Sequence, residues 1–223
     1  MDWDDSIFSP PEADDPYGYV GWSYKVEPGM LRDAYRHGVF PWPETAQEIL
    51  WFSPPERGGL HIGSFRIPHG TVRELKKKQW HLRVDTVFDQ VIDECAAASR
   101  PGQPGTWITP EMRRGYKEFH RAGFAHSFET FDENGQLIGG LYGVLAGAVF
   151  CGESMFFKES GASKFALANM FAILQKSGVE FVDTQMVTPT LAMFGAVEIS
   201  REEYWKILLD FRDADIVIES DCR

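Results

Sequence analysis

The sequence predicts an α+β fold whose central sheet is mostly antiparallel, and three stretches predict it. AHSFETFD (125–132), the turn Glu133-Asn134-Gly135 and QLIGGLYGVLAG (136–147) read as a hairpin, because Asn-Gly between two strand-like runs is the strongest short-range hairpin signal. AVFCGESMF (148–156) adds a strand directly after it. Ser163 to Lys176 is an apolar helix closed by Gly178, long enough to lie across those strands.

The remaining elements follow in chain order. Residues 1–16 are acidic and rich in Pro, which predicts a loose arm. Pro28 to His37 predicts a short helix, with Gly38 at the left-handed position past its end. VFPWPETAQEILWFSPPERGG (39–59) holds too many prolines for regular structure, yet its Trp42, Trp51 and Phe52 call for packing onto something. The end of a small N-terminal domain falls near 56–60, giving residues 1–59 and a second domain over 60–223. Leu60–Ile67 reads as a strand, Thr71–Gln79 as a short basic helix and His81–Asp85 as a strand. Asp85–Ser99 has helical spacing, with Val87, Val91, Ile92 and Cys95 on one face. Thr109-Pro110-Glu111 starts a helix that ends at Gly123: an N-cap hydroxyl, then Pro, then an acid. VEFVDTQMV (179–187) is a strand, and Ser200–Phe211 a closing helix with Ser200 and Glu203 spaced as a capping box.

Bulk composition narrows the class. At 223 residues and 43% apolar content, the chain suits one large core or a domain with a small appendage. Aromatic residues make up 14%, enough to supply rigid walls for pockets as well as core. A net charge of -11 argues against general nucleic-acid binding, so any RNA contact must come from a local basic patch. Three cysteines, Cys95, Cys151 and Cys222, form no close pair; this predicts reduced thiols, with no disulfide scaffold and no metal site. No apolar run approaches the roughly 18 residues that span a bilayer. The acidic N-terminus has no signal-peptide core. The expected location is cytoplasmic, with no membrane partner.

Several residues could carry chemistry. Glu153 sits among Phe150, Cys151, Met155 and Phe156 in FCGESMF. A carboxylate in that company either reaches water at a strand end or stands at the mouth of an apolar pocket, where it could hold an ammonium group. Gly152 beside it permits close approach of a ligand. Asp183 and Gln185 lie two apart in a strand and should share a face. They form either a satisfied polar pair or a pair aimed at a ligand. Trp107, Leu141, Phe150, Leu167 and Met170 are pocket walls or ordinary core. Arg73 to Arg83 holds five of the chain's 22 Lys and Arg residues. That run is a solvated face or a phosphate-tracking patch. The P-loop, GxSxG, HExxH and CxxC signatures are absent.

The order of strands and the long helix resembles the acyltransferase fold of acetyl-CoA-dependent N-acetyltransferases. Where such enzymes carry a Q/R-x-x-G-x-G/A phosphate cradle, this chain reads Glu159-Ser160-Gly161-Ala162-Ser163-Lys164, which disfavours acetyl-CoA as donor. A more specific likeness comes from GVFPW at 38–42, ILWFSP at 49–54, the basic segment at 73–83, GTWIT at 105–109, AHSFE at 125–129, GGLYGV at 139–144, FCGESMF at 150–156, ASK at 162–164, VDTQ at 182–185 and FGA at 194–196. Together they resemble the bacterial leucyl/phenylalanyl-tRNA–protein transferases. The resemblance implies a small N-terminal domain and an acetyltransferase-like catalytic domain. It implies transfer of Leu or Phe, sometimes Met, from aminoacyl-tRNA to proteins beginning with Arg or Lys, which creates a degradation signal. It assigns Asp183 and Gln185 to activating the acceptor amine and Glu153 to the substrate amino groups. It assigns Trp42, Trp107, Leu141, Phe150, Leu167 and Met170, with Ser154 and Met155 of FCGESMF, to the donor side chain and the tRNA 3′ adenosine. Arg73, Lys76, Lys77, Lys78, His81 and Arg83 would receive the acceptor stem. No cofactor is implied, because an aminoacyl ester is already activated.

One stretch departs from the family's pattern. Its Asn-Asp-His-x-x-Ser-Leu-Gly-Ala becomes Thr188-Pro189-Thr190-Leu191-Ala192-Met193-Phe194-Gly195-Ala196, beside the expected catalytic strand. Two other readings fit the same residues: an acetyltransferase-like enzyme with another acyl donor or acceptor, and a non-catalytic module that binds tRNA or N-degrons. The missing cradle weighs against the first, and retention of Glu153, Asp183 and Gln185 against the second.

Overall fold

A computed structural model describes residues 1–43, 45, 47–99 and 106–218. Gly105 of GTWIT and Cys222 lie outside the described residues. The strands are β1 (Tyr19–Ser23), β2 (Phe40–Pro43), β3 (Ile49–Phe52), β4 (Glu56–His61), β5 (His81–Val84), β6 (Ala125–Phe131), β7 (Leu137–Ala146), β8 (Val149–Phe157), β9 (Phe181–Gln185) and β10 (Val197–Ser200). The helices are α1 (Pro28–Arg36), α2 (His69–Leu75), α3 (Phe88–Ala97), α4 (Pro110–Arg121), α5 (Ala162–Lys176), α6 (Pro189–Phe194) and α7 (Arg201–Phe211). A seven-stranded sheet runs β10-β4-β9-β8-β7-β6-β5, and a three-stranded one β1-β3-β2. Every pair is antiparallel except β8 with β9. The expected α+β class with a mostly antiparallel sheet is what the chain adopts.

Local chemistry explains the well-read elements. Thr109 caps α4 by accepting from the Met112 N–H, and Ser200 caps α7 by accepting from the Glu203 N–H. In the β6–β7 turn, one Asp132 carboxylate oxygen accepts from the Asn134 and Gln136 N–H groups. Long α5 packs on β6, β7 and β8.

Four readings are corrected. The Pro-rich stretch does form strands: β2 is an edge strand, the place in a sheet where prolines lacking an N–H are tolerated. The expected strand 60–67 begins earlier and stops at His61, giving way to a single 3-10 turn. Its Gly58-Gly59 looks unlike a strand, but a Cβ at Gly58 would meet the Met186 carbonyl carbon at 2.5 Å, and one at Gly59 the Phe181 ring at 2.4 Å. The basic run is only partly helical, because α2 ends at Leu75 and Lys76–Lys78 lie in the turns beyond it. The N-terminal arm is pinned rather than loose. Ser6 Oγ donates to Asp33, Trp3 packs on His37 and Trp205, and Phe8 packs on Trp51. The stretch 188–196, which departs from the family's pattern, folds as α6, capped by Thr188 accepting from the Leu191 N–H with Pro189 in the first turn.

The buried apolar residues form two clusters. One gathers Leu31, Tyr35, Trp51, Phe88, Met112, Tyr116, Tyr142, Cys151, Phe181 and Tyr204, so residues before 59 and after 60 share it. The other joins α5 to the sheet through Phe128, Leu141, Phe150, Leu167, Met170 and Phe171.

Candidate active site

The parallel ladder between β8 and β9 ends at Cys151 opposite Asp183. Each strand then carries a register irregularity. In β8, Tyr142 and Gly143 of β7 face Ser154 and Gly152, leaving Glu153 as the extra residue. In β9, Gly58 and Gly59 of β4 face Gln185 and Asp183, leaving Thr184 unmatched. Bulges re-aim side chains, and these two bring Glu153 and Gln185 together. The Gln185 side-chain Nε2 donates to Glu153 Oε1 at 2.9 Å. With Glu153 ionised the carboxylate can only accept, so this contact sets the amide orientation and leaves Gln185 Oε1 facing away. Gln185 has φ 54, the left-handed region uncommon for a non-glycine residue. Strain of this kind clusters at working sites.

Asp183 is fully buried and anchors the strand end. Arg57 grips it with two contacts, Nε to Oδ1 at 2.9 Å and Nη2 to Oδ2 at 2.6 Å. Tyr204 donates to Oδ2 at 2.8 Å, and the Gln185 backbone N–H donates to Oδ1 at 2.8 Å. The Arg57 guanidinium lies 4.6 Å from both the Phe40 and Tyr204 rings, and its Nη1 donates to the Gly38 carbonyl. Burial works against its charge, but Asp183 outweighs this and the pKa is raised. Asp183 and Gln185 therefore do not join side chain to side chain as the strand periodicity suggested. Asp183 holds Gln185 by its backbone, and the positive φ frees the amide for Glu153.

Glu153 Oε2 accepts from Tyr116 Oη at 3.1 Å, and Tyr116 Oη lies 2.5 Å from Tyr35 Oη. Part of the Glu153 residue remains open to solvent. Burial of the carboxyl nevertheless pushes its pKa up to about 7, with nearby Asp183 adding to the rise and the two tyrosine hydroxyls opposing it. Burial also pushes Tyr35, Tyr116, Tyr204 and Cys151 well above their ordinary values. Glu153 thus sits in mid-strand on a bulge, not at a strand end.

The other predicted residues fall into four places. Trp42 and Trp107 stack on each other, with ring centroids 5.4 Å apart. Leu141, Phe150, Leu167 and Met170 are buried together in the α5 cluster, with Met155 packed partly exposed against it. Ser154 opposes Tyr142 across the β7–β8 ladder. Arg73, Lys76, Lys77, Lys78, His81 and Arg83 are all exposed along α2, its following turns and β5, the far edge of the large sheet. Arg83 lies over the Phe131 ring and Lys78 over Trp80. Sequence reading missed Arg57, Tyr35, Tyr116 and Tyr204. Arg57 before Gly-Gly looked like a loop residue, and the tyrosines carry no local motif.

Glu129 of AHSFE is buried and accepts from the Thr86 and Val87 N–H groups and from the Thr86 and Ser127 hydroxyls. It ties β6 to the start of α3. Among the described residues, no group of three or more His, Cys, Asp or Glu could hold a metal ion, and no helix is long and apolar enough to cross a membrane.

Comparison with known proteins adds an independent line. The family described as leucyl/phenylalanyl-tRNA protein transferase matches residues 60–209, and its N-terminal domain matches residues 25–55. A leucyl/phenylalanyl-tRNA–protein transferase of Xanthomonas oryzae pv. oryzae (strain MAFF 311018) is 45% identical over 199 residues, covering 88% of this chain and 79% of its own. One of Shewanella halifaxensis (strain HAW-EB4) is 39% identical over 222 residues, covering 99% and 93%. Among solved structures, L-PGS from Bacillus licheniformis overlaps 77% of this chain and 57% of its own at 13% identity, with a TM-score of 0.41.

Proposed function

The chain belongs to the leucyl/phenylalanyl-tRNA–protein transferase family, and from that premise we propose that it moves Leu or Phe from aminoacyl-tRNA onto the N-terminal α-amine of proteins beginning with Arg or Lys, marking them for degradation in the cytoplasm. The observation that carries the mechanism is the hydrogen-bonded array Tyr116–Glu153–Gln185 held on the Arg57–Asp183 anchor. Residues 60–223 form the catalytic unit, with a sheet of the acyl-CoA N-acyltransferase type. Its support is one parallel pair, β8 and β9, parting beyond Cys151 in an otherwise antiparallel sheet. Residues 1–59, the small N-terminal domain, lend it Tyr35 and, because β4 crosses the boundary into the seven-stranded sheet, Arg57.

The reaction joins the acceptor amine nitrogen to the ester carbonyl carbon and breaks the bond to the tRNA 3′ oxygen, which leaves with a proton. The ester is already activated, so alignment is the main task and can supply several kcal/mol. Gln185 Oε1, turned away from Glu153, accepts an N–H of the attacking amine. A neutral amide is a poor base, so Gln185 positions. The neighbouring Glu153 carboxylate, tuned to about 7, is matched to an α-amine whose ordinary pKa is near 8 and can hold or take its proton. A Cβ at Gly152 would meet only the Asp183 carbonyl oxygen, at 3.7 Å, so a substrate can approach the backbone there. The apolar side chains Leu141, Phe150, Met155, Leu167 and Met170, with Ser154 and the Trp42–Trp107 stack, wall the donor side chain and terminal adenosine. The exposed cations from Arg73 to Arg83 receive the acceptor stem about 14 Å from β8, three strand spacings away.

The test offers labelled Leu-tRNA and Phe-tRNA with peptides beginning in Arg, Lys, Asp or Glu. Transfer to the Arg and Lys peptides is expected, and no transfer to any peptide overturns the reading. Gln185→Ala should lower kcat about 10²-fold at saturating substrates, the scale of a lost positioning contact. Near-normal kcat removes Gln185 from the mechanism.

A further inference from the structure

The outward face of the three-stranded sheet is apolar at every paired position. The register sets two rows across it, Tyr19–Phe52–Phe40 and Trp22–Leu50–Trp42. The opposite face, with Ile49 and Trp51, is buried. Trp22 is 55% exposed, Tyr19 42% and Trp42 37%, and Tyr24, 62% exposed, packs edge-on against Trp22. Contiguous aromatics left in water mark a surface that meets something.

Two observations identify the occupant. The face borders the site through packed side chains: the Phe40 ring lies 4.6 Å from the buried Arg57 guanidinium that grips Asp183, and Trp42 stacks on Trp107. Its surroundings are acidic. Among the described residues from Gly38 to Glu56 there is no Lys or Arg, while Glu48 and Glu56 are exposed, and beside β1 the exposed acids Asp14 and Glu27 outnumber the exposed Lys25. Such a field repels phosphates and suits a chain that begins with a cation.

We propose that this face seats the acceptor polypeptide downstream of its first residue, as an extended segment bearing aromatic or aliphatic side chains. The inference rests on the transferase reading above. From β2 to β1 is two strand spacings, about 10 Å, or roughly three extended residues. An acceptor whose amine sits at Glu153 and Gln185 therefore reaches Trp22 only beyond its first few residues, and a dipeptide does not reach it.

The experiment compares two acceptors, an Arg-initiated dipeptide and an Arg-initiated dodecapeptide rich in Leu and Phe, with the wild type, Trp22→Ser and Trp22→Phe. Trp22 is exposed near the end of an edge strand, and Tyr19→Ser serves as a second, independent variant. For Trp22→Ser, KM for the dodecapeptide should rise about tenfold, the scale of one aromatic anchor. KM for the dipeptide and for Leu-tRNA should not change, nor should kcat, and Trp22→Phe should restore most of the loss. An unchanged dodecapeptide KM in both Ser variants overturns the proposal. So does an equal rise for both acceptors, a rise confined to Leu-tRNA, which would make the face an RNA surface, or a change of mass in sedimentation, which would make it a contact between copies. If the wild type transfers to neither acceptor, the transferase reading fails and this proposal with it. Normal transfer with an unmoved KM removes the face alone.

Discussion

Glu153 owes its near-neutral carboxyl to its surroundings, and that makes it the residue whose titration is easiest to read. Its pKa of about 7 lies above the ordinary 4.5, so the fold disfavours the ionised form. Stability should therefore fall as pH rises from about 4.5 to 7 and stay lowered above that. Glu153→Gln should raise Tm at pH 8, with the gap closing toward pH 4.5; a lower Tm at pH 8 would contradict the assignment. For activity the sign is opposite, since the ionised form does the work. kcat/KM should climb through pH 7 in the wild type. In Glu153→Gln that limb should vanish, leaving only the rise from the acceptor amine near 8. Arg57 is the complementary case. Removing it as Arg57→Met leaves the Asp183 carboxylate buried without a counter-charge, held only by Tyr204 and the Gln185 N–H, which costs about 3–5 kcal/mol in urea unfolding. Arg57→Lys should recover little, because a single ammonium cannot replace a two-pronged contact flanked by two rings.

Strand ends decide the geometry at the next scale. Gly58 lies under the Met186 backbone with no room for a Cβ. Gly58→Ala should push the β9 end outward, separate Gln185 from Glu153 and lower kcat at least tenfold, while far-UV circular dichroism stays native. Equal activity would show that the β9 end yields freely. This is also where sequence reading ran out. The β6–β7 hairpin, α4, α5 and α7 were legible because their signals are local: a turn dipeptide, a hydroxyl cap, an apolar stripe. The three-stranded sheet was not, since its prolines argue against strands until β2 is seen to be an edge. FCGESMF and VDTQ pointed to Glu153, Asp183 and Gln185, but a period of two cannot foresee that each strand gains one extra residue beside the site. Arg57 and the three tyrosines were invisible for a related reason: Arg57 lies 126 positions from Asp183, and Tyr116 37 from Glu153.

Charge is distributed unevenly over the molecule. A chain of net charge -11 exposes Arg73, Lys76, Lys77, Lys78 and Arg83 together at one edge, and none of them joins an ion pair among the described residues. Replacing Lys76, Lys77 and Lys78 with Ala should weaken tRNA binding and make its salt dependence shallower, by roughly one unit of slope for each lost phosphate contact. An unchanged slope would reduce the run to a solvated face. The fastenings of the fold have a consequence of another kind. Arg57 reaches Asp183, Arg201 reaches the Ser53 carbonyl, and Arg36 reaches the Arg212 carbonyl, across 126, 148 and 176 positions of sequence. Contacts this distant form only after long loops have closed. Tyr204, which completes the grip on Asp183, lies on α7, beyond every motif of the site in chain order. A chain that lacks α7 therefore holds every motif of the site without the hydroxyl that completes its anchor, and should fold around an Asp183 gripped less firmly.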